Sequence, residues 1–117
     1  MALSGLGLVI YVIFHMLGNL QVFEGSHALN GYAAMLRDMP IFLWAARIGL
    51  LSIAVLHIVL AIQVTLRNRR ARPVAYAVRE YRQASFASRT MAVSGLVLLL
   101  FILFHLLHLT AGVIDPS

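Results

Sequence analysis

The chain has no cysteine and no lysine. Without cysteine there is no disulfide framework and no thiolate metal shell, and the redox compartment leaves no mark on the sequence. Charge is scarce as well, at 11% of residues, with four acids against nine arginines. Nothing resembles a nucleophile with its base or a pair of catalytic carboxylates. The glycine-rich opening Ser4-Gly5-Leu6-Gly7 lacks the strand-then-helix context of a dinucleotide or phosphate loop. The N-terminal run has neither a basic start nor a clear small-residue cleavage site, so it does not read as a removable signal peptide.

What is present is apolar: 62% of the residues, with a mean hydropathy of +0.91. A soluble domain of 117 residues needs a polar exterior that this composition cannot build. The composition therefore predicts an all-α integral membrane protein, a bundle of three transmembrane helices in a single domain over residues 1–117. A net charge of +5 raises nucleic acid as a partner, but the arginines cluster between apolar runs, and membrane orientation is the simpler reading.

The runs contain a repeat. Residues 1–20, MALSGLGLVIYVIFHMLGNL, align with residues 91–110, MAVSGLVLLLFILFHLLHLT. Met, Ala, Ser-Gly-Leu and Phe-His coincide, and a repeat identifies equivalent positions. His15 of the first copy matches His105 of the second, so the two are expected at equal depth on similar helices.

The expected spans are about 1–22, 42–66 and 90–112, each near the ~20 residues that cross a hydrocarbon core. Gly5, Gly7 and Gly18 would let a neighbour or a flat cofactor approach the first. The first span opens at Met1 without the flank that its twin has in Arg89-Thr90, which suggests that the natural N-terminus lies further upstream. Between the first two spans, Phe23-Glu24-Gly25-Ser26 reads as a turn. His27–Met39 reads as a short interfacial helix with Leu29, Tyr32, Ala33 and Leu36 on one face, closed by Pro40. Trp44 suits the membrane boundary. The 67–89 loop carries seven of the nine arginines and is expected on the cytoplasmic side of the inner membrane. It would also meet anionic lipid or dock a cytoplasmic partner. Spans one and three would then run parallel.

Depth sorts the histidines. His15 and His105 each lie about seven residues from the outer end of their spans, whereas His57 lies about nine from the inner end of the second. That makes one complete pair and half of another. A b-type haem needs an axial imidazole from each side of its plane, and no carboxylate or thiolate at these depths completes a zinc or copper shell. Arg47, near the outer end of span two, is placed to neutralise propionates of the outer haem. The bland alternative is that each histidine only hydrogen-bonds a neighbouring helix, although intramembrane ionisable groups are functional by default. His108 has Gly18 as its repeat equivalent and reads as pocket or interface. His27 reads as a solvated loop residue.

Taken together, SGLGLV…HMLGNLQVF, ALNGYAAMLRD, ARIGLL…LHI…AIQ…LRNRRARP and SRTMAVSG…FHLLHLT resemble the cytochrome b558 subunit of succinate dehydrogenase. This family of large membrane anchors is related to the fumarate reductase cytochrome b subunits, and the resemblance covers essentially the whole chain. It implies five membrane helices and two b haems. The outer haem is held from the first and third helices, His15 and His105 here; the inner one is held from the second and fourth, His57 here with a partner from outside this sequence. It further implies flavoprotein and iron–sulfur partner subunits passing electrons from succinate through the haems to menaquinone or a similar quinone. Asn19, Gln21 and Glu24 are the candidates beside the quinone. The fourth and fifth helices have no counterpart here, so the chain reads as a fragment or those helices come from elsewhere. Two other readings stand beside this one: a haem-free anchor or assembly subunit whose histidines only pack helices, and an unrelated haem b quinol oxidoreductase.

Overall fold

A computed structural model describes residues 1–72, 74, 77–78 and 84–113. Arg79, Glu80, Arg82 and Asp115 therefore lie outside the described residues. The described elements are helical throughout: α1 (Ala2–Asn19), a 3-10 turn (Leu20–Glu24), α2 (Ser26–Arg37), α3 (Pro40–Arg70) and α4 (Phe86–His105), which continues into a π-helical turn, Leu106–Thr110. Three helical stretches, Ala2–Glu24, Pro40–Arg70 and Phe86–Thr110, are long and apolar enough to cross a membrane. No hydrophobic side chain among the described residues is buried, and leucines, valines and phenylalanines along all three stand exposed. In water this surface would have no compensation, because folding is driven by removing apolar area from solvent; in lipid it needs none. The chain falls into two units, Met1–Ala75 and Tyr76–Ser117.

In the first unit α1 and α3 run antiparallel. A side chain on Gly5 would meet His57, and one on Gly7 would meet Ile53, so ascending α1 faces descending α3. The less exposed residues of α3 (Leu50, Ile53, Ala54, His57, Ile58, Leu60 and Ala61) recur at helical spacing and mark the packed stripe. The small residues of α1 let the two backbones approach, as membrane helix pairs require. The glycines thus receive side chains of the neighbouring helix.

Helix ends extend beyond the hydropathic spans for identifiable reasons. Pro40 sits in the first turn of α3, where its fixed φ is favourable and its missing N–H costs nothing. It opens α3; the expected interfacial helix stops earlier, at Arg37, with Asp38 as its cap. Arg67, Arg69 and Arg70 fill the last turn of α3, opposite the negative end of the helix dipole. At 31 residues α3 is about 46 Å long, so its ends pass beyond a ~30 Å hydrocarbon core. At the start of α4, Ser85 accepts from the Ser88 N–H at 3.2 Å while the Ser88 hydroxyl donates to the Ser85 carbonyl at 2.9 Å. This cap starts the helix at Phe86, ahead of the apolar run at 90.

Gly25, at φ 104°, takes a backbone turn that only glycine adopts cheaply, separating the 3-10 turn from α2. The face of α2 expected to be apolar is the sheltered one: Leu29, Tyr32, Ala33 and Leu36 are half-buried. His27 is exposed as expected, but it lies in the first turn of α2 rather than in a loop. Tyr32 caps α1: a Cβ on Gly18 would come within 2.6 Å of its hydroxyl and 3.0 Å of its ring. Gly18→Ala is therefore expected to displace the ring and cost about 1–3 kcal/mol, read as a lower Tm in detergent. Gly18→Ala combined with Tyr32→Ala should cost less than the sum of the two, the signature of a shared contact.

Candidate functional site

The three histidines of interest lie on α1, α3 and the end of α4. His57, on α3, meets α1. Its Nδ1 lies 3.1 Å from the Ser4 hydroxyl, and Gly5 leaves room for the ring, since a Cβ there would sit 3.3 Å from Cε1. Ser4 is 8% exposed and is the one residue classed as buried among those described. Its hydroxyl also donates to the Met1 carbonyl at 2.8 Å.

His15 occupies a different level. Ser4 and His15 are eleven positions apart on α1, about 16 Å at ~1.5 Å per residue. His57, which packs at Ser4, is therefore remote from His15 along the helix axis, as the depth argument expects. His15 stacks on Tyr11, with centroids 5.5 Å apart and planes at 15°. Arg47, on the facing helix, holds its guanidinium 5.2 Å from the Trp44 ring centroid, within cation–π range. Tyr32 of α2 lies over Gly18, three residues beyond His15 on α1. Asn19, a quinone candidate, turns back on its own helix, donating from Nδ2 to the His15 carbonyl at 2.7 Å. Gln21 and Glu24 lie on the 3-10 turn.

In the second unit His105 is the last residue of α4 and stacks on Phe101 at 5.7 Å and 28°. The local geometry repeats that of the first unit: an aromatic ring four residues before the histidine lies over the imidazole in both copies. Beyond His105 the helix loosens into the π turn, and such turns recur at functional sites. The Ala111 N–H reaches back to the Leu106 carbonyl at 2.9 Å. His108 lies inside this turn and stacks on Phe104 at 5.6 Å. Its Nδ1 is buried without a hydrogen-bond partner among the described residues.

No group of three or more histidine, cysteine or acidic side chains converges among the described residues, so they build no shell of several protein ligands. A porphyrin brings four nitrogens of its own and asks only for axial imidazoles, which histidines spaced along apolar helices can offer. Ser4 is the functional candidate that sequence reasoning missed. Its signal was the Ser-Gly pair in both repeat copies, but Ser94 in the second copy bonds its own helix, at 3.1 Å to the carbonyls of Thr90 and Met91. No family model matches the chain, and neither a curated protein nor a solved structure does.

Proposed function

We propose that the chain is a haem b membrane anchor of a succinate:quinone oxidoreductase, in the cytoplasmic membrane with the 67–89 loop inside. His15 and His105 are the axial ligands of an outer haem. His57 is one ligand of an inner haem whose other ligand comes from outside these residues. The observation that carries the reading is the repeated setting of His15 and His105, each stacked on an aromatic ring one turn earlier in sequence-equivalent positions. The remoteness of His57 from His15 supports a second level.

Haem, when bound, supplies one-electron transfer at its iron. The chain's own residues do the rest. The imidazoles would hold the group, the rings of Tyr11 and Phe101 stacked on His15 and His105 would restrain two of them, and the apolar helices would keep water out. Arg47 offsets propionate charge at the outer level. Electrons would arrive from an iron–sulfur subunit beside a flavoprotein and leave to a membrane quinone, menaquinone by the resemblance. The chain is not catalytic alone; succinate chemistry belongs to the flavoprotein.

One observation favours the haem-free anchor instead: His57 meets Ser4 across the α1–α3 interface, as a packing histidine would. The chain purified in mild detergent with haem supplied separates the two. The expected reduced-minus-oxidised spectrum has a sharp b-type band at about one haem per chain, as one axial pair allows. A flat spectrum would leave the haem-free anchor.

A further inference from the structure

The hydroxyls of Ser52, Thr65, Thr90 and Ser94 all donate to carbonyls of their own helices, the usual way a membrane helix satisfies such groups. Ser4 does the same toward Met1 and also faces an imidazole nitrogen on another helix. A serine hydroxyl has one proton and two acceptor lone pairs. With the proton spent on the Met1 carbonyl at 2.8 Å, only lone pairs remain for His57 Nδ1 at 3.1 Å. The contact is then a hydrogen bond only if Nδ1 carries the proton. In a neutral imidazole that leaves Nε2 bare.

We propose that Ser4 is a positioning residue for His57, fixing the imidazole as the Nδ1–H tautomer and presenting the Nε2 lone pair away from α1 as the metal-binding atom. The ligand role rests on the haem reading above; the tautomer does not. Three features combine. The Ser4 acceptor is buried. Gly5 leaves room for the ring edge, since a Cβ there would sit 3.3 Å from Cε1. The serine proton has a partner that keeps it pointing away. A ligating histidine commonly holds its second nitrogen on such an outer partner, which sets ring orientation and tautomer. Here the partner is in place within the helix pair itself.

The test is nitrogen NMR of the full chain in detergent, labelled at histidine and recorded at alkaline pH where imidazole is neutral, with His57→Gln assigning the signals. The expected His57 pattern is a protonated Nδ1 and a bare Nε2. Ser4→Ala should move the proton to Nε2, and Ser4→Thr should restore the original pattern. A protonated Nε2 in the unmodified chain, or a pattern that Ser4→Ala leaves unchanged, would overturn the proposal. The haem reading is examined separately, on the same preparations, by the difference spectrum. A fixed Nδ1–H tautomer with no haem uptake would uphold Ser4 as the positioning residue and remove the haem reading alone.

Discussion

His15→Ala and His105→Ala are each expected to abolish the same haem band, while His57→Ala leaves that band in place. A bis-imidazole haem takes one ligand from each face, so either loss removes half of one coordination set. His57 cannot substitute, because it packs against Ser4 and Gly5, about three turns of α1 from His15. His108→Ala should retain the band as well, since His108 has a glycine as its counterpart in the first copy. The measurement is the reduced-minus-oxidised spectrum of each variant, with haem quantified per chain. Loss of two different bands in the first two variants would sink the pairing. A band that survives both would sink the ligand assignment altogether.

Gly5→Leu is expected to be far more damaging than Gly95→Leu, although the repeat makes the two glycines equivalent. A Cβ alone on Gly5 meets His57 Cε1 at 3.3 Å, whereas one on Gly95 meets nothing within 4 Å among the described residues. Leucine at position 5 adds three further carbons where the imidazole already sits. Either α1 and α3 separate or the ring leaves its place on Ser4, and overpacking of this kind typically costs about 1–3 kcal/mol or more. Leucine at position 95 meets no such obstacle and gains helix propensity worth up to ~1 kcal/mol. Thermal unfolding of the purified chain in detergent should therefore show a clear fall in Tm for Gly5→Leu and little or no fall for Gly95→Leu. Equal losses would mean that the second copy is packed as tightly as the first.

The same pair of glycines marks the border between what is legible in one dimension and what is not. Three spans were readable because hydropathy over twenty residues is a property of one helix in lipid, independent of its neighbours. The sheltered face of α2 was readable for a similar reason: Leu29, Tyr32, Ala33 and Leu36 recur at helical spacing whatever they pack against. The separation of His15 from His57 followed from counting residues along rods of fixed rise. Helix limits were less legible, since Pro40 both excludes one helix and favours the start of the next, and the Ser85 cap lies outside the apolar run it serves.

Composition, spans and the repeat were thus determined by the sequence alone, which makes His15 and His105 equivalent positions. Only the tertiary structure decided that Gly5 and Gly18 receive His57 and Tyr32, that Ser4 faces an imidazole while its twin Ser94 bonds its own helix, and that Asn19 folds back on His15. The contacts of Gly5, Gly18 and Ser4 depend on the rotation and register of a second element. A helix does not encode in its own sequence which neighbour will fill the gap left by a missing side chain.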